Sequence, residues 1–171
     1  MYHAKGQGKD TFQFFHDGMN ASAMARLSLE NDLRRTLQEG GLHLNFQPQF
    51  SCADRQLTGA EVLVRWQHPQ RGAVSPAEFV PMAEELGLVG VLGDWVLERA
   101  CAQLAEWQAR GLHIPRLAIN LSARQLADQR LLPQLQQALQ RHQLDPSQIE
   151  LELTESTLLQ DIDSSRDILQ S

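Results

Sequence analysis

The sequence predicts an α/β domain built on a parallel sheet or barrel, and three observations carry that expectation. From Leu42 onward, strand-like runs alternate with amphipathic helical runs at the spacing of βαβ units. The run LAINL at 117–121 is short and almost wholly apolar, as expected of a strand covered on both faces. Helix signals punctuate the runs: Ser75-Pro76-Ala77-Glu78 has capping-box spacing with proline at the first helical position, and Gly40-Gly41 and Gly111 stand where helices stop.

Taken in order, residues 1–20 differ from the rest. Residues 2–5 read as the end of a helix, Gly6 and Gly8 break it, and TFQFF at 11–15 reads as a short strand with no partner in the chain. Residues 21–38 form a connector helix with apolar Met24, Leu27, Leu33 and Leu37. Leu42–Phe50 alternates apolar and polar residues and reads as a strand interrupted by Pro48. A second strand occupies 57–66 after a polar turn. The capping box at Ser75 opens a helix to about Leu86. A further helix at 91–108 has Trp95, Leu97, Ala100, Cys101, Leu104 and Trp107 on its apolar face. Ser122 and Gln125 again have capping-box spacing, and 131–140 is amphipathic with Leu135 and Leu139 on one side. Asp145-Pro146-Ser147 then turns the chain into the strand Ile149–Leu153, and a last helix starts at 164–169.

Composition narrows the function. With 171 residues, 42% hydrophobic and 21% charged, the chain suits one domain with a substantial core. A net charge of −6 and no basic stretch interleaved with aromatics argue against a nucleic acid polymer as partner. A small phosphate ligand stays open, since one Arg and a cation can hold it. No apolar window is long enough to span or contact a membrane, and the start MYHAKGQGKD lacks the apolar core of a signal peptide. Cys52 and Cys101 read as two buried free thiols in a reducing compartment. Six histidines without HxH or HExxH spacing give no support to zinc. Lysine occurs only at Lys5 and Lys9.

The chemistry-bearing residues stand on the strands. Glu61 lies within the second strand, Asn120 ends LAINL and Glu152 ends IELEL. Consecutive parallel strands bring their carboxyl ends to one rim, so these three oxygen donors are expected to converge. An acidic residue among Val62, Leu63 and Val64 needs a cation or an Arg. Two carboxylates and an amide are hard donors suited to Mg²⁺ or Mn²⁺, the equipment of metal-assisted phosphoryl hydrolysis. Arg65, four residues after Glu61, shares its face at about 13 Å along an extended strand, within reach of a common phosphate. On the pattern alone a structural set competes with this reading: Glu61 pairs with neighbours of Arg65, Asn120 caps the helix beginning near Ser122 and Glu152 faces solvent.

Together, FQPQF, TGAEVLVRWQHPQRGAVSPAEFVPMAEELGLV, AINLSARQL and IELELTES resemble, in order, the EAL domain family of bacterial cyclic di-GMP phosphodiesterases. The resemblance covers about residues 42–171. The first twenty residues are similar to the closing helix and strand of a GGDEF (diguanylate cyclase) domain, so 1–20 are assigned to a GGDEF-like remnant, 21–41 to a connector helix and 42–171 to the N-terminal part of an EAL domain. The resemblance implies a modified TIM (β/α)8 barrel, of which about half is expected here. It also implies hydrolysis of cyclic di-GMP to linear pGpG with two Mg²⁺ or Mn²⁺ ions in a cytoplasmic setting. By motif position, Glu61, Asn120 and Glu152 match metal ligands, and Arg65, Gln47 and Leu63 match substrate contacts. Thr154 and Glu155 match residues that order a later loop of the active site. An EAL–EAL homodimer is the implied assembly of the intact protein. Glu78, Glu84 and Glu85 read as cap or solvated residues, His68 as a loop residue, and Trp66, Trp95 and Trp107 as packing residues.

Two departures temper the expectation. Val62 replaces the Ala of the signature tripeptide, and its extra bulk beside a metal ligand points to reduced activity or to a receptor that binds without cleaving. The DDFGTG-like segment, a strand lysine and the later glutamate and glutamine of the family have no counterpart in the chain. The 130 residues from Leu42 to the end (171 − 41) are also short of the roughly 250 of such a barrel. The expectation is therefore a truncated, inactive chain with exposed strand edges.

Overall fold

The computed structural model describes residues 17–153, with side chains described from residue 23. The TFQFF strand and the helix at 164–169 lie outside the described residues. Leu42–Phe50 (β1) and Leu57–His68 (β2) form an antiparallel hairpin in which Leu42 faces Trp66 and Gln47 faces Glu61. The polar turn between them is too short for a crossover, so the first pair departs from the parallel arrangement expected from the sequence. Pro48 is carried within β1 opposite Ala60, which an edge strand tolerates, and the register slips only at Gln49/Phe50. Gly72–Val74 (β3) pairs back on the end of β2.

The rest of the sheet is parallel. Leu117–Leu121 (β4) pairs with β2, and Ile149–Leu153 (β5) pairs with β4, giving the order β1-β2-β4-β5. Between β3 and β4 come the helices Pro76–Glu85 (α2) and Val89–Ala109 (α3); the turn Ala123–Leu126 (α4) and the helix Leu131–His142 (α5) lead to β5. Among the described residues, no helix is long and apolar enough to cross a membrane.

Local chemistry explains the ends of these helices. Ser75 Oγ accepts the N–H of Ala77 at 3.3 Å, while the Glu78 N–H goes to the Ser75 carbonyl, so this is a simple serine cap in place of the expected box. At Ser122 both bonds are made, Gln125 returning to the Ser122 N–H. Gly111, with φ +76°, takes the left-handed position just past α3. Gly59 is required for a different reason. A Cβ there would lie 2.8 Å from both Cγ and the carbonyl oxygen of Arg116, where the chain enters β4.

The strands divide the molecule into two faces. Ala60, Val62 and Trp66 of β2, with Leu117 and Ile119 of β4, pack under Phe79, Met82, Leu97, Ala100, Cys101 and Leu104. Each such Leu or Phe contributes about 1.5–3 kcal/mol of burial. Helix α1 runs Asp17–Glu39 and joins this core through Leu29 and Leu33. Met24 and Leu27, expected on its apolar face, are 70% and 54% exposed, because docking selects the stripe through 29, 33 and 36 instead. Cys101 is buried, and burial pushes its thiol up to about 11. Cys52, expected to be buried, is exposed in the turn after β1.

Candidate functional site

Alternation along β1 and β2 fixes which side chains leave the core. Leu42, Leu44 and Phe46 pack on it, so His43, Asn45 and Gln47 occupy the opposite face of β1. On β2 the same rule separates Val62 and Trp66 from Glu61, Leu63 and Arg65. On β5 Ile149 and Leu151 pack inward, which leaves Glu150 and Glu152 on the open face with Asn120 of β4.

Register then sets the geometry across the sheet. Gln47 stands directly opposite Glu61, and Asn120 directly beside Glu152. Glu61 is level with Ala118, not with Asn120. It therefore sits one side-chain rung, about 6.7 Å, below the place expected from equivalent strand ends. The gap is closed by the side chains, since Asn120 Nδ2 donates to Glu61 Oε1 at 2.8 Å. Leu63, paired with Asn45, falls level with Asn120 and Glu152, and Arg65, paired with His43, lies one rung nearer the carboxyl rim. Arg65 Nη1 donates to the Val64 carbonyl at 2.9 Å. Lower on the same face, Arg116 Nε meets Glu150 Oε2 at 3.0 Å.

The donor set fits a hard divalent cation in part. Two oxygen ligands at right angles on an ion with bonds of about 2.1 Å lie about 3.0 Å apart. That is close to the 2.8 Å now bridged by the Asn120–Glu61 hydrogen bond, and turning the amide presents its oxygen instead. Among the described residues no three His, Cys, Asp or Glu side chains gather as a ligand group; Glu61, Asn120 and Glu152 offer two carboxylates and an amide. Thr154 and Glu155 lie outside the described residues.

Val62 is buried on the helical side of β2, away from Glu61. Its bulk relative to Ala is accommodated in the core and does not crowd the ligand, contrary to the expectation of steric interference. A cavity of about 510 Å³ lies mainly between the sheet and helices α2, α3 and α5, against Val62, Val80, Leu97 and Ile119, and reaches Leu63, Arg65 and Asn120 at its edge. It does not include Glu61 or Glu152. Burial pushes the Asp94 carboxyl up within it, although Gln134 Nε2 donates to Asp94 at 2.9 Å and pulls the other way.

Sequence reasoning missed His43 and Asn45, which share the face of Gln47; the alternation of LHLNFQP carries that signal. It also missed the role of His68. This side chain is buried at the end of β2, not displayed on a loop.

Comparison with known proteins identifies the family and the fold. The family model described as "EAL domain" matches residues 30–171. The bifunctional diguanylate cyclase/cyclic di-GMP phosphodiesterase MucR of Pseudomonas aeruginosa is 44% identical over 170 residues, which are 99% of this chain and 25% of that protein. The cyclic di-GMP phosphodiesterase PdeR of Escherichia coli is 38% identical, with the same coverage of both chains. The solved PaMucR phosphodiesterase in complex with c-di-GMP superposes with a TM-score of 0.79 at 42% identity, over 84% of this chain and 58% of that one. The chain thus spans about a quarter of these curated relatives and a little over half of the solved domain. With the family model covering residues 30–171 and the fold superposing on the solved relative, the chain belongs to the EAL domain family.

Proposed function

We propose that this chain supplies one wall of the active site of a cyclic di-GMP phosphodiesterase, with Glu61, Asn120 and Glu152 holding Mg²⁺ or Mn²⁺. The observation that carries the reading is the 2.8 Å contact of Asn120 with Glu61, beside the direct Asn120–Glu152 rung, on the uncovered face of the sheet. The names of MucR and PdeR and the cyclic di-GMP complex of the solved relative support the substrate. The diguanylate cyclase half of the MucR name supports assigning residues 1–20 to a GGDEF-like remnant and 21–41 to a connector.

A bound divalent ion supplies a Lewis acid for the phosphodiester and a hydroxide at neutral pH. The chain's own residues hold and orient. Glu61 and Glu152 provide negative charge on β2 and β5, the two strands that flank β4, and the Asn120 amide of β4 between them sets their spacing. Arg65 carries its guanidinium at the rim, where it can turn from the Val64 carbonyl to pair with phosphate oxygens. Gln47, opposite Glu61, offers amide donors and an acceptor to the substrate, and Leu63 adds apolar surface that excludes water level with Asn120. Thr154 and Glu155, next in sequence after β5, are assigned to ordering the adjoining loop. Water adds across one P–O bond of the ring, and linear pGpG leaves with a new terminal phosphate.

The test incubates the intact protein containing this chain with cyclic di-GMP and Mn²⁺ and follows pGpG by chromatography. Glu61→Ala is expected to lower turnover by about 100-fold or more while the melting temperature stays within a few degrees. Turnover retained in Glu61→Ala would overturn the ligand assignment.

A further inference from the structure

His68 is only 3% exposed, and both of its ring nitrogens are engaged. Nδ1 accepts the backbone N–H groups of Gln70 and Arg71, each at 3.1 Å, and so closes the turn from β2 into β3. Nε2 lies 3.2 Å from Oδ2 of Asp32, on α1. A nitrogen that accepts two N–H groups carries no hydrogen, so the neutral ring keeps its one hydrogen on Nε2, where the carboxylate accepts it. The ring is also packed edge-on to Trp66, with centroids 5.5 Å apart, which restricts its rotation. A second link runs beside the first: Arg71 Nη2 donates to the Ala25 carbonyl of α1 at 3.0 Å.

We propose that Asp32, acting with the two turn N–H groups, locks His68 in its Nε2–H tautomer and thereby couples the seating of α1 to the β2–β3 turn. Asp32 and His68 are positioning residues in a relay from the helix to the strand that carries Glu61, Leu63 and Arg65. Without the carboxylate, Nε2–H loses its acceptor and the preference for this tautomer rests on the two turn N–H groups alone; each excursion of the hydrogen to Nδ1 then breaks both turn bonds. Displacing α1 removes Asp32 and the Ala25 carbonyl together, so a movement of the helix reaches the turn three residues beyond Arg65. The hydrogen bond from His68 and the charge of Arg35 also hold the Asp32 carboxyl below the usual carboxylate range, as a fixed acceptor requires. These contacts stand whatever the domain hydrolyses; only the consequence for Arg65 rests on the proposed function.

The test is made on the full chain by nitrogen NMR of the imidazole and by amide hydrogen exchange. In the wild-type chain His68 is expected as the Nε2–H tautomer. Asp32→Ala is expected to mix the tautomers and to speed exchange of the Gln70 and Arg71 amides about tenfold, the loss of one hydrogen bond's worth of protection. Asp32→Asn retains an acceptor for Nε2–H and is expected to restore both readouts. His68→Asn places an acceptor near Nδ1 without reaching Asp32, so the turn amides stay protected while those of α1 exchange faster. An unchanged tautomer in Asp32→Ala, or turn amides that stay slow once the tautomer has changed, would overturn the relay. So would failure of Asp32→Asn to restore the readouts. Failure of the Glu61→Ala assay would leave these spectra unaffected, so the two proposals fall separately.

Discussion

The two faces of the sheet are made from the same strands by the same alternation, yet they answer to different constraints. On β2, Val62 and Trp66 are sealed under α2 and α3, while Glu61, Leu63 and Arg65 occupy the opposite face of the strand. The covered face is shaped by volume: Phe79 stands edge-on to Trp66 at 5.7 Å, and Leu104 and Ala100 are fully buried. The uncovered face is shaped by charge and register, with Gln47 against Glu61 and Asn120 against Glu152. One face therefore holds the fold and the other is free to carry chemistry. The position of Val62 makes the point within a single motif, since a substitution one residue from a candidate ligand falls wholly on the structural side.

That division breaks if the two faces respond alike to truncation. Phe79→Ala removes a ring that is 0% exposed and is expected to cost about 3–5 kcal/mol. Gln47→Ala, exposed on the open face, is expected to change stability by less than about 0.5 kcal/mol. Denaturant midpoints at an unchanged slope measure both, and a Gln47→Ala cost near that of Phe79→Ala would mean that the polar face is structural.

A smaller loss tests how rigidly the faces are held in register. Gly59→Ala forces its methyl against backbone and side-chain atoms of Arg116 at the mouth of the β2–β4 pairing. The expected cost is about 1–3 kcal/mol, the range for overpacking at a site that cannot relax freely. Because the same pairing sets Glu61 level with Ala118, the variant is also expected to weaken substrate binding in the intact protein. Thermal melting together with a binding isotherm separates the two effects.

Which residues face which way was largely legible in the sequence, because period-two alternation is a local property of LHLNFQP and TGAEVLVRW. The strands β1, β4 and β5 fall at their expected positions for the same reason. Properties that depend on a partner were not legible. The one-rung offset of Glu61 is set by pairing with a strand nearly sixty residues away. The face by which α1 docks could not be told from Met24 and Leu27, because a helix with apolar residues on more than one side does not announce which stripe will find a core. β3 is three residues long and carries no period at all. His68 looked like part of a loop because its burial comes from Trp66 beneath it and Asp32 above, and neither is signalled by its neighbours in sequence.

The smallest expected effect probes a charge retained on the helical side of the division. Burial holds the Asp94 carboxyl above its ordinary value of 3.8, and the Asp128 charge adds to the shift, while Gln134 and Arg130 oppose it. A carboxyl whose folded pKa is raised binds its proton more tightly in the native state, so its stabilising contribution is complete below about 3.8 and lost as pH rises through the folded value. At neutral pH the native protein therefore bears the cost of an ionised, partly buried group. Asp94→Asn keeps an acceptor for Gln134 and removes that charge. It is expected to raise stability at pH 7 by a few tenths of a kcal/mol, roughly the size of a favourable surface change, and the gain is expected to vanish as pH falls below 3.8. Denaturant melts of both proteins at pH 7 and at low pH measure the difference. A gain that persists at low pH would assign the effect to packing between α3 and α5, and a loss at pH 7 would show that the Asp94 charge is held by contacts stronger than the Gln134 hydrogen bond.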